Sequence, residues 1–306
     1  MAAAMKPKLL ILGANGFIGK YASAYLSTWY ECVGLDWAPS NTQDKSTILV
    51  DIRDKSALWG ALIATKPNYI LNLVAAKNTH AASELLLLNA ELPRFIMERA
   101  DELGGFLKKI IFIGSAAEYG NAPDLPITED LIHSPVSLYG LSKSIQTSYF
   151  KYYSKKSKIE MNLVRPFNII HNEMPLASSI GSFIHNITNT AEGHSFSVGN
   201  LQVRRDFVDL RDICQAFHLV LEKGLAHEEY NIASASSHKL EDILKFLIKK
   251  SGKKLHYEIP AGAVGETHIM NSFGSFAKLQ KDCGWTPNTD VYKLLDEVIF
   301  TRDSSI

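Results

Sequence analysis

Tyr139-Gly-Leu-Ser-Lys143 is the stretch of this sequence richest in chemistry. A tyrosine and a lysine four residues apart share one face of a helix. An ammonium held beside a phenol favours the phenolate and lowers a pKa that ordinarily lies near 10. A tyrosine tuned in this way exchanges a proton with a carbonyl or hydroxyl near neutral pH. The same spacing also arises by chance in ordinary helices, so the pair alone does not define a reaction. Ser115 follows an apolar run, Lys109 to Ile113, that reads as a strand. Its hydroxyl would stand at the ligand-binding edge, ready to hydrogen-bond the same oxygen. A serine there can equally cap the next turn.

A second set of residues could hold an anion. Lys8 to Gly19 reads KLLILGANGFIG. Leu9 to Leu12 suit a buried parallel strand. Gly13 turns the chain, and Gly16 and Gly19 open a helix whose free N–H groups and positive dipole end would face a phosphate. This is the strand–glycine–helix arrangement of dinucleotide binding, spaced GxxGxxG, one residue longer than the common form. An ordinary strand-to-helix turn has the same outline. Asp36 ends the second strand. A carboxylate there accepts hydrogen bonds from an adenosine ribose and repels a 2′-phosphate, favouring NAD(H) and leaving NADP(H) open. A loop aspartate fits that position equally well. Asp51-Ile52 follows the third strand and would meet an adenine edge or simply make a turn.

The elements that must position these residues alternate in the first half. Helices are expected at Phe17 to Trp29, Lys55 to Thr65, Ala81 to Leu103 (kinked by Pro93) and Leu138 to Lys155. Strands are expected at Glu31 to Leu35, Ile48 to Val50, Tyr69 to Ala75, Lys109 to Ile113 and Met161 to Val164. Such alternation predicts an α/β fold, a doubly wound parallel sheet with its ligand edge at the strand ends. From about Asn168 the alternation loosens. Helices at Ala177 to Glu192, Asp209 to Gly224 and Lys239 to Ser251, two short helices near the end, and strands at RRDFVD, Glu229 to Ala233 and Lys254 to Ile259 make a smaller C-terminal portion. The division is 1–167 and 168–306, with some later elements returning to the first sheet.

The 306 residues are 46% hydrophobic and 21% charged, enough for a sizeable core. Lys and Arg balance Asp and Glu at zero net charge, so the totals suggest neither nucleic acid nor an anionic membrane surface. No apolar run approaches the ~20 residues that span a bilayer. MAAAMKPK leads into the first strand with no room for a signal peptide. Cys32, Cys214 and Cys283 are odd in number and have no metal-ligand spacing. Cys214 and Cys283 read as small buried thiols, and a reducing cytoplasm follows.

Together these motifs resemble the extended short-chain dehydrogenase/reductase family, the NAD-dependent epimerases and dehydratases. The carrying residues are GANGFIG, DIRD at Asp51 to Asp54, NLVAA at Asn72 to Ala76, GSAAEYG at Gly114 to Gly120 and YGLSK at Tyr139 to Lys143. The resemblance implies a Rossmann-type fold and Ser115, Tyr139 and Lys143 as the catalytic group. It implies a cofactor site of Gly13, Asn15, Gly16, Phe17, Ile18, Gly19, Asp36, Asp51, Ile52, Val74, Ala75, Ala76, Asn89, Tyr139, Lys143 and Pro166. The second half is similar to reductases of GDP-4-keto-6-deoxy-mannose through RPFN at Arg165 to Asn168, VGNLQVRRDFVDLRD at Val198 to Asp212 and EYNIAS at Glu229 to Ser234. That implies Ser115, Ala116, Ala117, Asn168 and Arg205 at a nucleotide-sugar substrate, with Arg205 on its diphosphate. A planar guanidinium suits a diphosphate, although an ion pair to Asp206 or Asp209 is the competing role. The chain departs from that group at IIHNEMP after RPFN and near Gly265 and Glu266, where it has no arginine.

Three reactions share such a scaffold. A 4,6-dehydratase needs an acid and a base beside the catalytic hydroxyl, and Ala116 and Ala117 can carry no proton. A 4-epimerase needs no extra acid but must keep its NAD. A 4-ketoreductase needs only the three catalytic groups and an exchangeable cofactor, and it is the expected activity. A non-catalytic cofactor-binding protein would often lack the Tyr–Lys pair that this chain keeps. The resemblance also implies a homodimer through a four-helix bundle, formed by the helices at Ala81 to Leu103 and Leu138 to Lys155. Leu85 to Leu88 are apolar all round, which suits an interface and equally a deeply buried helix.

Overall fold

The computed structural model describes residues 5–37, 47–77, 80–176, 178–260 and 269–303. The first half runs β1 (Lys8–Leu12), α1 (Phe17–Leu26), β2 (Glu31–Asp36), β3 (Thr47–Leu49), α2 (Lys55–Thr65), β4 (Tyr69–Asn72), α3 (Ala82–Leu86), α4 (Leu92–Arg99), β5 (Lys109–Ile113), α5 (Leu138–Tyr153) and β6 (Glu160–Pro166). The second half adds β7 (Asn168–Ile170), α6 (Ser179–Asn189), β8 (Ser195–Ser197), β9 (Arg204–Arg205), β10 (Phe207–Asp209), α7 (Leu210–Lys223), β11 (Glu229–Ile232), β12 (His238–Lys239), α8 (Leu240–Ser251), β13 (His256–Glu258), β14 (Asn271–Ser272), α9 (Ala277–Cys283) and α10 (Val291–Asp303).

Seven strands form one parallel sheet in the order β11-β6-β5-β4-β1-β2-β3. β1 is central, and Leu9 to Leu12 are fully buried because helices cover both faces. One face packs Leu9, Ile11, Leu71 and Ile111 under α1 and α7; the other packs Leu10, Ile70, Ile110 and Phe112 under α2, α4 and α5. A third core joins α6, α8 and α10 around Ile184, Leu244 and Leu295. The doubly wound sheet expected from the alternation is therefore present, and α7 and β11 return to it from the second half.

Several boundaries differ from the sequence expectation. β4 stops at Asn72 because the Asn72 side chain accepts the Val74 N–H at 3.3 Å and draws the chain off the ladder. The long helix is interrupted by a π-turn, Leu87–Glu91, in which Leu92 N–H bonds to Leu87 C=O. Pro93 cannot donate to the carbonyl four residues back, and the wider turn just before it absorbs that defect. RRDFVD divides into β9 and β10 at Asp206, whose buried carboxylate accepts from Ser234 and Gly274. α6 begins at Ser179 with Ser178 as N-cap; the expected start, Ala177, lies outside the described residues. α10 is longer than expected. Cys214 and Cys283 are buried thiols, as their surroundings in the sequence suggested. No helix among the described residues is long and apolar enough to cross a membrane.

The topology puts the carboxyl ends of β1, β2, β4, β5 and β6 along one edge. Gly13, Asp36, Val74, Ser115 and Pro166 therefore meet there.

Candidate active site

Ser115 leaves β5 in an extended conformation and starts a tight turn, Ala116–Glu118. Its Oγ accepts the Ala117 N–H at 3.2 Å, and its own N–H donates to Glu118 Oε1 at 2.7 Å. Ser115 also lines the same cleft as Tyr139. The two roles open from sequence, cap and ligand-edge hydroxyl, thus coexist in one side chain.

Tyr139 and Lys143 stand in the first turns of α5, whose N-cap Ser137 accepts the Gly140 N–H at 3.1 Å. Gly140 lets the helix dock on the serine turn: a Cβ there would fall 2.4 Å from the Ala117 carbonyl oxygen. Lys143 is fully buried, and its Nζ donates to the Ile113 carbonyl at 2.8 Å and to Gln146 Oε1 at 3.2 Å. Burial lowers its ammonium to about 8, against the pull of Glu118. The expected lowering of the Tyr139 pKa is corrected here. Burial raises the phenol above its usual value; the Ser115 side chain opposes that rise, and the nearby Glu118 charge adds to it. Desolvation of the phenolate outweighs any help from the lysine.

Asn89 lies in the π-turn, fully buried. It accepts the Ala76 N–H at 2.8 Å and donates to the Ala76 carbonyl at 3.0 Å and to Ser142 Oγ at 2.9 Å. It ties the loop after β4 to the catalytic helix and lies behind the site, with Ala76, not in its open cleft. The π-turn supplies the extra rotation that aims it.

Two clefts meet at this edge. The first, about 290 Å³, is lined by Gly13, Asn15, Gly16, Asp36, Trp37, Ile52, Arg53, Val74 and Ala75, among others. Its floor fits a dinucleotide. Gly13 has φ +79°, and a Cβ at Gly19 would lie 2.1 Å from the Gly13 carbonyl oxygen, so the helix start can approach only as glycine. Asp36 accepts the Asn15 N–H and the Trp37 N–H, each at 2.8 Å, which fixes a carboxylate at the end of β2. Ile52 is a wall of the cleft. Asp51 is a turn residue that holds Arg53 through two side-chain bonds at 2.9 Å, and Arg53 faces the Trp37 ring at 5.4 Å. These residues would hold the adenosine half and the pyrophosphate.

The second cleft, about 400 Å³, is lined by Phe17, Ile18, Lys77, Ser115, Tyr139, Lys143, Pro166, Asn168 and Arg205, among others. Asn168 donates its side-chain N–H to the Asp206 carbonyl at 2.8 Å. Arg205 donates to the carbonyls of Arg204 and Ile269 and makes no ion pair to a described carboxylate; Asp206 and Asp209 are engaged elsewhere. Burial lowers its pKa, as expected of a buried cation with no counter-charge among the described residues. A third cavity of about 340 Å³ continues past Arg205 and is lined by Ser178, Ser179, Ser182, Asn200 and Leu240. The buried Asn200 Nδ2 has no partner among the described residues. Ala116 and Ala117 form the turn beneath Ser115 and line neither large cleft. The position near Gly265 and Glu266 lies outside the described residues.

Sequence reasoning did not single out Gln146, Ser142 or Asn200. Gln146 follows Lys143 by three residues on the same helical face, a signal that was available. Glu118 closes the serine turn. It is fully buried and bonded to Arg165 and Thr147, so it stands behind Ser115 as no proton donor to substrate could.

Residues 9–233 match the family model of the NAD dependent epimerase/dehydratase family. The chain is similar to GDP-6-deoxy-D-mannose reductase of Pseudomonas aeruginosa, 24% identical over 311 residues and covering 99% of both chains. It is similar to UDP-glucose 4-epimerase 4 of Oryza sativa, 23% identical over 325 residues, 93% of this chain and 87% of that one. Among solved structures, RMD from Pseudomonas aeruginosa complexed with NADPH superposes with a TM-score of 0.83 at 23% identity, covering 99% of this chain and 100% of that one. The matched segment spans the glycine turn, the serine turn and the Tyr139–Lys143 helix, so this chain belongs to the NAD-dependent epimerase/dehydratase family and is an NAD(P)-dependent oxidoreductase of the extended short-chain dehydrogenase/reductase type.

Proposed function

We propose that the protein is a nucleotide-sugar 4-ketoreductase acting on an NDP-4-keto-6-deoxy-hexose of the GDP-4-keto-6-deoxy-mannose kind. One observation carries the reading: a single cleft is lined both by Ser115 and Tyr139 and by Arg205, which has no carboxylate partner among the described residues. The bound NAD(P)H supplies a hydride for C4. Tyr139, kept protonated by its burial, gives its proton to the ketone oxygen, and the Ser115 hydroxyl polarises that oxygen. Lys143 orients the cofactor ribose. Arg205 takes the diphosphate, for which a guanidinium fork is suited. The Asn200 amide and the serines of the third cavity take the nucleoside. With Glu118 held behind Ser115 by Arg165, no side chain of the serine turn is placed to eliminate water, which argues against a 4,6-dehydratase. Asp36 supports NADH as the preferred donor.

The test is nicotinamide absorbance with NADH or NADPH and a panel of GDP-, dTDP-, UDP- and CDP-linked 4-keto-6-deoxy sugars. Oxidation with one of them is expected, and Arg205→Met is expected to raise its KM by about tenfold or more, the worth of a lost charged hydrogen bond. Interconversion of C4-hydroxy sugars without added cofactor would move the assignment to epimerase. Cofactor binding with no turnover on either panel would leave a binding protein.

The same reading includes a cytoplasmic homodimer built on α3, α4 and α5. Of the four leucines expected to be apolar all round, Leu85 is buried within the subunit, Leu87 and Leu88 are half-buried, and Leu86 faces solvent. Leu138 and Leu141 of α5 are exposed too. Sedimentation at micromolar concentration should give a dimer; a monomer at that concentration would refute it.

A further inference from the structure

We propose that Glu118, locked to Arg165, is a positioning residue that holds Ser115 in register with the helix carrying Tyr139 and Lys143. The proposal rests on the catalytic roles given above. Both members of the pair are fully buried. Burying a carboxylate is costly, and a satisfied hydrophobic replacement is often no less stable, so stability alone is a weak reason for its presence.

What the carboxylate touches is specific. Oε1 accepts the Ser115 N–H at 2.7 Å. Oε2 accepts from Thr147 Oγ1 at 2.6 Å and from Arg165 Nε at 2.8 Å. Thr147 stands one turn beyond Lys143 on α5, Arg165 is in β6, and Ser115 ends β5. One carboxylate therefore joins the serine turn, the catalytic helix and the strand beneath them. The backbone makes room for it: a Cβ at Gly114 would lie 2.6 Å from Glu118 Oε1 and 3.0 Å from Arg165 Cγ. Arg165 is gripped in turn, donating to Tyr119 Oη and pairing with Glu229 from β11. Hydrogen-bond reach between a proton donor and its substrate tolerates little error, and displacement by about 1 Å can cost a hundredfold in rate.

The charge matters as well as the tether. Glu118 acts on Tyr139 and on Lys143 in the same direction, raising both. It favours a protonated Tyr139, as reduction requires, and a charged Lys143. The other charged or titratable groups around it are Arg165 on β6, Glu229 on β11, Lys151 on α5, and Tyr119 and His133 in the segment between β5 and α5. His133 Nδ1 is 3.7 Å from Glu118, and burial lowers its pKa.

The experiment compares wild type, Glu118→Gln and Thr147→Val by steady-state kinetics across pH, by cofactor titration and by hydrogen exchange. Glu118→Gln keeps the shape and removes the charge. It should lower kcat by about tenfold or more, leave the KM of the keto sugar and the NAD(P)H dissociation constant within about twofold, and move the alkaline limb of kcat to lower pH. Thr147→Val cuts the tie to α5 and leaves the charge, so it should lower kcat without moving that limb. Unchanged kcat and pH limb in Glu118→Gln would overturn the proposal. So would a loss of cofactor binding and melting temperature in step with kcat in both variants, which a purely structural role predicts. Exchange is read whether or not a substrate is found: amides 114–118 and 139–147 should exchange faster in Glu118→Gln. An unchanged exchange rate refutes the positioning role, while inactivity of the wild type refutes only the reductase reading.

Discussion

Tyr139→Phe is expected to lower turnover by about a thousandfold, within the range that general acid catalysis supplies. Cofactor affinity should stay within about twofold. Phenylalanine fills the same half-buried space and deletes one atom, the hydroxyl oxygen, from the cleft it shares with Ser115. The ring still packs beside the serine turn, and Lys143 keeps its bonds to Ile113 and Gln146, so the cofactor face of the site is intact. Only the proton is missing. Because burial keeps this phenol protonated, its donation rather than its ionisation is the step at risk in reduction. Near-normal turnover in Tyr139→Phe would show that another group, or water, delivers the proton, and would sink the assignment of roles. The cofactor dissociation constant separates this from a folding defect.

The second large effect belongs to stability. Arg165→Met should cost about 3–5 kcal/mol, the usual loss when one partner of a buried pair is removed. In a chain of this size that lowers the melting temperature by something on the order of 10 °C. Methionine approximates the volume of the arginine stem but leaves Glu118, which has no exposed surface, without its arginine, and Glu229 with Lys151 at 3.3 Å as its one ion-pair partner among the described residues. Tyr119 and Thr147 each lose a donor as well. The double variant Glu118→Gln with Arg165→Met should be less damaged than the sum of its parts by about 1–3 kcal/mol, since removing the charge removes what was stranded. Additive losses would mean that the two side chains matter separately. A melting temperature within a degree or two of wild type for Arg165→Met would mean that water reaches the pair.

How much of this could be read beforehand depends on distance along the chain. The β1–glycine–α1 unit is local, and KLLILGANGFIG announces it through one apolar run and three glycines. Tyr139 and Lys143 are four residues apart, so their shared face needed only helical periodicity. Strands of two or three residues, such as β7, β8, β12 and β14, are too short to show any period and were missed. The π-turn before Pro93 was missed for a related reason: the proline announces a defect, and only the packed structure shows how the helix absorbs it. Arg205 left two readings open, because Asp206 and Asp209 stand close in sequence; folding turns them to Ser234, Gly274 and Arg211 instead. Glu118 finds Arg165 and Arg165 finds Glu229 across 47 and 64 residues, a spacing about which sequence periodicity says nothing. The tyrosine pKa was misjudged because a lysine in the sequence suggests a charge, whereas burial is a property of the whole fold.

The place of β11 at the edge of the main sheet has a consequence for how the chain acquires its shape. A ribosome delivers residues 1–166, and with them six of the seven parallel strands, well before residues 229–232 arrive. Until then β6 offers an unpaired ladder along its outer side. Arg165 lacks Glu229, Tyr119 lacks Asn231, and the buried Lys109 lacks the Val220 and Gly224 carbonyls that it holds at 3.1 and 2.8 Å. The nascent cofactor half is thus an open template with three polar vacancies, one closed by the end of α7 and two by β11, both made later in synthesis. The catalytic end of the molecule and the edge strand of its main sheet become native together, and in that sense the enzyme cannot be half made.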